Sequence, residues 1–169
     1  YLSEVDLGFS LPLKNSSIWL RNAVGGADGD IEDPFANFYF GGFGNNYVDR
    51  GSVKRYREFY AMPGFELNEI GGRNFARTML EWNLPPLRFR NVGTPSFFLQ
   101  HLRPAVFAMG LVTDPGERFE RTLTSFGAQV DLQFTLMHRL PMTLSVGWGS
   151  GYEDGDRNDD EWMISLKIL

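Results

Sequence analysis

Two histidines, His101 and His138, are the side chains in this sequence best suited to acid–base chemistry. A catalytic histidine needs a nucleophile or a carboxylate within hydrogen-bond reach, and no serine or aspartate stands in the nucleophile-elbow pattern of a hydrolase. The chain contains no Cys, which excludes thiol nucleophiles, disulfides and thiolate metal sites together. We therefore expect no catalytic residue and no enzymatic activity.

Two acidic stretches have the composition of calcium-binding loops, because hard cations take several oxygen ligands at alternating positions. In Asp154–Glu161, however, Asp159 stands at the sixth position, where the sharp turn needs glycine. Ser165 stands at the twelfth position, where the motif needs glutamate. The stretch Asp28–Asp33 is interpreted in the same way. We expect solvated loops here, with no metal site and no cofactor.

Three glycines, Gly41, Gly42 and Gly44, follow a predicted strand, as glycines do in phosphate-binding turns. No amphipathic helix follows them to present its N-terminal amides, so we do not expect a nucleotide site. Glycine also lets a chain bend or approach another segment closely. We expect that structural role at these positions.

Composition limits the remaining classes of protein. Of the 169 residues, 43% are hydrophobic and 22% are charged, and 15 are Phe, which excludes a disordered chain. The net charge of −5 argues against a nucleic-acid-binding protein. No run approaches the roughly 18 consecutive apolar residues of a spanning helix, which excludes a helical membrane protein but not a membrane β-barrel.

The elements that position any site are predicted by alternation of apolar and polar residues, which is typical of strands with one apolar face. The alternation is clear in residues 1–13 and 128–136 and in the strands around Trp148 and Trp162. Further candidate strands are residues 18–24, 35–43, 74–84 and 97–113. If the last of these counts as two, the chain has about eight strands of the length that crosses a bilayer at a tilt.

Connections between the predicted strands alternate between short and long ones, as they do in outer-membrane barrels. Short turns are expected around Lys14, Pro85-Pro86 and Pro141, and long polar ones around Asp28, Arg55, Glu117 and Asp156. We predict an all-β fold, an antiparallel transmembrane β-barrel, in a single domain over residues 1–169.

A soluble antiparallel sandwich or lipocalin-like barrel alternates in the same way, but with its apolar face inward. Here the polar face carries small residues, among them Thr143, Ser145, Gly147 and Gly149, which suit a hydrated lumen. This pattern favours the membrane barrel, and a soluble ligand-binding β-barrel stays an alternative.

The stretch Phe38–Gly44, followed by a long loop that contains Met62–Phe65, resembles the bacterial surface antigen family, the barrels of BamA-like and TamA-like proteins. In that family a strand ending near a Gly-Gly pair, here Gly41 and Gly42, leads into a loop that folds back into the lumen. The resemblance implies that residues 45–72 form this loop and that the chain is roughly the C-terminal half of a sixteen-stranded barrel. In the family five strands follow the loop, and here predicted strands begin near Asn74, Phe97, Leu123, Met142 and Glu161.

The loop tip departs from the family pattern at one position. The family carries an arginine before its Gly-aromatic pair, whereas this chain keeps Gly64 and Phe65 but has a proline before them. By the resemblance, Arg55 or Arg57 would supply the missing cation from further back in the loop. In relatives the arginine pairs with a carboxylate on a strand after the loop, and Glu81 is the matching residue here. Such a bidentate pair would fix the position of the loop.

The resemblance implies a protein of the bacterial outer membrane that inserts, assembles or translocates other proteins. Its partners would be outer-membrane lipid and lipopolysaccharide, unfolded outer-membrane protein clients, and periplasmic or lipoprotein accessory subunits, with no nucleic acid. Client strands would enter at a seam that includes the last strand, Glu161–Leu169. A self-contained eight-stranded outer-membrane barrel with a structural, adhesion or pore role is the second hypothesis.

Overall fold

The computed structural model describes residues 1–13, 15–28, 37–44, 54–90 and 92–168. Three features predicted from the sequence lie outside these residues: the turn residue Lys14, most of the acidic stretch (29–33) and the first part of the long loop (45–53). The described part is built from antiparallel β-strands and one short 3₁₀ turn at Arg55–Arg57, which confirms the predicted all-β, antiparallel class. No helix in this part of the chain is long and apolar enough to cross a membrane.

Nine strands form one large antiparallel sheet, and two short strands form a sheet of their own. In chain order the strands are β1 (Leu2–Ser10), β2 (Ser17–Gly26), β3 (Phe38–Phe40), β4 (Ile70–Gly72), β5 (Asn74–Asn83), β6 (Leu87–Arg88), β7 (Gly93–Thr94), β8 (Phe97–Thr113), β9 (Arg121–Leu136), β10 (Leu140–Glu153) and β11 (Asp156–Ile168). The large sheet has the order β1-β2-β5-β8-β9-β10-β11, and β6 and β7 each pair with β8. Each long strand therefore pairs with the next long strand along the chain.

The large sheet has seven long strands, where the alternation predicts about eight. The prediction of a spanning strand over residues 35–43 is wrong, because its described part forms only β3 and pairs with β4 outside the large sheet. Phe40 is fully buried against that sheet, and Gly41, with φ of +143°, turns the chain after it. Residues 97–113 form one strand of 17 residues rather than two. Five long strands follow Phe65, the number that the family resemblance implies.

The predicted alternation of short and long connections holds only in part. The turn Asp154-Gly155 joins β10 to β11 directly, and both of its residues have positive φ, as in a tight hairpin. The prediction of a long loop around Asp156 is therefore wrong, since the polar residues there continue the two strands. The connection expected to be brief at Pro85-Pro86 instead runs over residues 84–96 and contains β6 and β7.

The two faces of the large sheet differ in what covers them. The inner face, which carries Arg77, Met79 and Glu81 of β5, is covered by residues 37–44 and 54–72, which we term the inserted segment. The apolar core lies between the two. The sheet contributes Ala23, Phe75, Met79, Phe107, Met109, Leu111, Leu123 and Met163, and the inserted segment contributes Phe40, Phe43, Tyr56, Met62, Phe65 and Ile70.

The outer face is apolar and exposed. Register pairing places one outward residue of each long strand in a single row, which we term the outer row: Phe9, Ile18, Trp82, Val106, Ala128, Trp148 and Trp162. Neighbouring outward positions are also large, apolar and exposed, among them Val5, Leu7, Leu80, Phe126, Val130, Val146, Ile164, Leu166 and Ile168. The strands are thus apolar on the face that the inserted segment does not cover.

The two edges of the large sheet are β1 and β11. In the described part of the chain each of them has a single neighbouring strand, and they do not pair with each other. Among the described residues the sheet is therefore open between β1 and β11.

Candidate functional site

The inserted segment crosses the inner face as a folded loop. Gly42 and Met62 form an isolated antiparallel bridge, in which the N–H of Met62 donates to the carbonyl of Gly42 at 2.9 Å. Tyr56, in the 3₁₀ turn, is fully buried and stacks on Phe107 of β8 with 4.2 Å between the ring centroids. This ring contact holds the 3₁₀ turn against the sheet.

One row of the inner face carries a carboxylate on β5 and another on β11. Register pairing places Glu81 and Glu161 in the row Gly8–Trp19–Glu81–Phe107–Gly127–Gly149–Glu161, which we term the inner row. Glu81 binds side chains of the inserted segment, and Glu161 binds its main chain. The two carboxylates therefore hold the inserted segment from two sides.

Glu81 is fully buried and accepts two hydrogen bonds from Arg57. Nε of Arg57 donates to Oε2 at 2.8 Å, and a terminal nitrogen donates to Oε1. Two further cations are near the same carboxylate, with Nε of Arg21 at 3.5 Å and Nζ of Lys54 at 4.0 Å. A buried charge is unfavourable unless it is paired, so this cluster fixes the 3₁₀ turn to β5.

Burial and the negative charge of Glu81 act in opposite directions on the pKa values of Lys54 and Arg57. Burial lowers the pKa of Lys54 to about 8, although the negative charge of Glu81 offsets part of this effect. Burial also disfavours the charged form of Arg57, but the hydrogen bonds and the charge of Glu81 outweigh it and raise the pKa of Arg57. Burial raises the pKa of Tyr56. At neutral pH Lys54 and Arg57 are therefore cations, and Tyr56 is a neutral phenol.

The two arginines predicted as alternative cations point in different directions, because a 3₁₀ helix turns by about 120° per residue. Arg57 contacts Glu81. Arg55 begins the turn, and its carbonyl accepts a hydrogen bond from the N–H of Glu58 at 3.2 Å. Among the described residues, the side chain of Arg55 forms no ion pair.

Gly41 and Gly42, which the resemblance singles out, turn the chain from β3 towards the tip. Gly42 has φ of +66°, and its N–H donates to the carbonyl of Phe65 at 3.0 Å. The N–H of Gly41 donates to the carbonyl of Tyr60 at 3.0 Å, and a Cβ at Gly41 would overlap the carbonyl of Glu66. Phe65 itself is buried in the core. Glycine is therefore required where the turn meets the tip.

The tip of the inserted segment, Met62–Phe65, lies against glycines of β10. A Cβ at Gly149 would lie 2.5 Å from Cβ of Pro63, and a Cβ at Gly151 would lie 2.5 Å from the carbonyl oxygen of Gly64. At Gly149 the expectation that a small residue lines a hydrated lumen is therefore wrong. The missing side chains make room for the backbone of the tip rather than for water.

Glu161 is a site residue that the sequence reasoning missed. Its Oε1 accepts a hydrogen bond from the N–H of Phe43 at 3.1 Å, and its Oε2 accepts one from the N–H of Gly64 at 3.2 Å. Asn158 donates to the carbonyl of Gly64 at 3.0 Å. The signal available in the sequence is the position of Glu161, which alternates with the apolar Trp162 and so belongs to the inner face.

Ser125 and Arg77 are two further inner-face residues that bind the inserted segment. Oγ of Ser125 donates to the carbonyl of Pro63 at 2.5 Å. A terminal nitrogen of the buried Arg77 donates to the carbonyl of Tyr56 at 2.9 Å, while its Nε has no partner among the described residues. Alternation places both side chains on the inner face, but only the fold reveals the loop that covers them.

The two histidines lie outside the inserted segment. His101 is on β8, paired in register with Gln133, and His138 lies in the exposed turn after β9. In the parts of the chain that the structure describes, no three His, Cys, Asp or Glu side chains are grouped to hold a metal ion. The inserted segment and the two sheet carboxylates that bind it, Glu81 and Glu161, are therefore the candidate functional site.

No protein-family model, curated protein or solved structure matches this chain. The resemblance to the bacterial surface antigen family therefore stays a prediction from the sequence.

Proposed function

We propose that the large sheet is part of an antiparallel β-barrel of the bacterial outer membrane, with its outer face in contact with lipid. The observation that carries this proposal is the outer row, which is apolar in all seven long strands. Membrane barrels present apolar side chains to lipid in alternation with residues that face the interior. The inserted segment fills that interior here, so the outer face is not needed to form a core.

A soluble sheet would bury its apolar face against another layer. Among the described residues, the inserted segment packs on the inner face and no second layer covers the outer one. Trp162 and Ile164 are 70% and 76% exposed. Exposed apolar patches above a few hundred Å² are uncommon on soluble monomers, which argues against the soluble ligand-binding barrel.

The barrel we propose inserts, assembles or translocates proteins at the outer membrane. Two features support this function: five long strands follow Phe65, and the Arg57–Glu81 pair holds a long loop against the inner face. Lipid and lipopolysaccharide would contact the outer face. Unfolded outer-membrane proteins would be the clients, together with periplasmic or lipoprotein accessory subunits.

Client strands would join the sheet at β11. In the described part of the chain β11 pairs on one side only, with β10. An extended peptide adds to such an edge through main-chain hydrogen bonds. In the sixteen-stranded arrangement that we favour, further strands complete the barrel between β1 and β11. A self-contained small barrel would instead require β1 to pair with β11.

The assembly function is tested with the native polypeptide that carries this segment, reconstituted in lipid vesicles. The measured quantity is the rate at which a urea-unfolded outer-membrane barrel becomes protease-resistant. We expect a rate about tenfold higher than with vesicles that hold an unrelated small barrel, which corresponds to about 1.4 kcal/mol of activation free energy. Equal rates would contradict the assembly function, and recovery of the polypeptide in the soluble fraction of cells would contradict the membrane barrel.

Electrophoresis with and without boiling separates the two barrel arrangements. A heat-modifiable polypeptide much larger than 19.2 kDa would support half of a large barrel. A heat-modifiable band at 19.2 kDa would support the small closed barrel.

A further inference from the structure

A cavity of about 450 Å³ opens beside the 3₁₀ turn, towards the end of the sheet at which β5 stops. This volume lies within the range of about 300–1,000 Å³ that is usual for small-molecule sites. Its charged lining consists of four basic side chains and one acidic side chain, Lys54, Arg57, Arg88, Arg103 and Asp131. The cavity therefore carries a net positive charge.

The carboxylates near the cavity already have partners. Oδ1 of Asp131 accepts hydrogen bonds from Nε2 of Gln129 at 2.5 Å and from Oγ of Ser145 at 2.7 Å. Glu81, behind the cavity wall, accepts the two hydrogen bonds of Arg57. Asp131 is also the cross-strand partner of Arg103, so its charge offsets part of the positive charge at the mouth of the cavity.

Arg88 and Arg103 form that mouth. Arg88 of β6 pairs in register with His101 of β8, and Arg103 lies two residues further along β8, so the three side chains share one face. Both arginines are exposed, and within the described ranges neither forms an ion pair. Two guanidinium groups that share one neighbouring carboxylate, Asp131, keep a net positive charge and are suited to bidentate binding of an oxyanion.

The charges at the two ends of the sheet reinforce this arrangement. The connections at the cavity end, residues 11–16, 84–96 and 137–139, contain no Asp or Glu, and their basic residues are Lys14, Arg88, Arg90 and Arg139. Two of the three connections at the opposite end, residues 114–120 and 154–155, carry the acidic residues Asp114, Glu117, Glu120 and Asp154 and one basic residue, Arg118. A positive potential at the cavity end attracts anions from solution or from a lipid surface.

We propose that this cavity binds a phosphate group, either free or carried by a phospholipid headgroup. A phosphate group offers two or more unesterified acceptor oxygens, whose geometry matches the two-pronged donors of the guanidinium groups. Leu84, Pro86 and Pro104 line the rest of the cavity and provide an apolar wall for the organic part of the ligand. This inference does not rest on the proposed function, because described residues alone form the cavity.

Calorimetric titration of the native polypeptide in dodecyl maltoside, a detergent without phosphate, tests the proposal. The two probes are inorganic phosphate and dihexanoyl-phosphatidylglycerol below its critical micelle concentration. Saturable binding of both probes supports recognition of the phosphate group itself. Binding of the lipid alone supports the headgroup as the source, and binding of phosphate alone supports a soluble ligand. The absence of saturable binding for both probes overturns the proposal.

Substitutions of arginines inside and outside the cavity test whether the ligand binds there. The double variant Arg88→Gln/Arg103→Gln is expected to raise the dissociation constant about tenfold or more, whereas Arg139→Gln, which removes an exposed arginine outside the cavity, leaves it within about twofold. Arg103→Lys keeps the charge but loses the planar fork, so we expect about threefold weaker binding. This milder variant provides the test if the double variant does not fold. Equal affinity in the wild type and in the folded variants of Arg88 and Arg103 overturns the proposal.

Discussion

Arg57 and Glu81 form a doubly hydrogen-bonded ion pair that joins the inserted segment to β5, across 24 residues of sequence. The side chain of Glu81 is fully buried, whereas 26% of the Arg57 side chain is exposed. Water therefore does not reach the carboxylate, and its charge is balanced by cations that mostly belong to the inserted segment. The pair therefore couples the position of the inserted segment to the stability of the sheet.

The substitution Glu81→Gln tests this dependence. It leaves Arg57, Lys54 and Arg21 around a neutral amide, and removing one partner of a buried pair is strongly destabilising. We expect the free energy of unfolding to fall by about 3 kcal/mol, measured by urea denaturation in detergent.

The matched control for this substitution is Glu117→Gln. Glu117 pairs with Arg73 at 2.9 Å, but both side chains are partly exposed. Pairs of this kind contribute about 0–1 kcal/mol, so the control should be nearly neutral. Similar losses in the two variants would contradict the structural role of the Arg57–Glu81 pair.

Parts of this arrangement follow from the sequence and others do not. Alternation predicts the strands and their two faces, because a strand has a period of two. The family resemblance predicts Glu81 and offers Arg55 and Arg57 as its partners, but the choice between them depends on the direction of the 3₁₀ turn. Residues 35–43 are predicted wrongly, because their aromatic side chains suit a lipid-facing strand and a packed loop equally well.

The role of Glu161 could not be predicted from the sequence either, but the reason is different. It accepts hydrogen bonds from main-chain N–H groups, which every residue except proline offers. The residue types of the inserted segment therefore do not reveal which residues bind Glu161. The close approach of the tip to Gly149 is hidden in the same way, since a glycine in a strand is compatible with a bulge, a bend or a nearby backbone.

We expect Glu161→Ala to loosen the tip. The N–H groups of Phe43 and Gly64 would lose their acceptor, and an unsatisfied buried donor costs about 1–3 kcal/mol. Hydrogen exchange at Gly64 should accelerate, while exchange in β9 should stay slow. Asp156→Ala, at an exposed position on the same strand, is the control. Unchanged protection of Gly64 in Glu161→Ala would show that the carboxylate does not hold the tip.

A methyl group at Gly149 should displace the tip. The added Cβ would lie 2.5 Å from Cβ of Pro63, and overpacking of this kind costs about 1–3 kcal/mol. Gly110→Ala is the matched control, because the nearest atom to its Cβ, the carbonyl oxygen of Leu123, is 3.9 Å away. Urea denaturation should show destabilisation of Gly149→Ala only. Equal stability of the two variants would argue against close packing of the tip on β10.

Stability should depend on pH through Lys54. Its pKa is about 8 in the folded chain and 10.5 in the unfolded chain, so between these values the unfolded chain binds more protons. Stability from this group therefore rises with pH across that window, and the penalty for burying the charge is fully present below pH 8.

The comparison for this pH dependence is Lys54→Met, which removes the titrating group and keeps a long side chain. We expect the midpoint of urea denaturation to rise less with pH in this variant than in the wild type. Parallel pH profiles for the two proteins would contradict the burial of a charged Lys54 under the inserted segment.

The most direct test of the central claim is the environment of the outer face in reconstituted vesicles. The chain has no native Cys, so single cysteines at Leu80, Val106, Ile164 and Glu117 can each carry one nitroxide label. The account predicts that labels at the three outer-face positions collide more often with oxygen than with a water-soluble nickel chelate. The label at Glu117, in the connection between β8 and β9, should show the opposite preference. If the labels at all three outer-face positions collided with the chelate as often as the label at Glu117 does, the result would contradict a lipid-facing sheet.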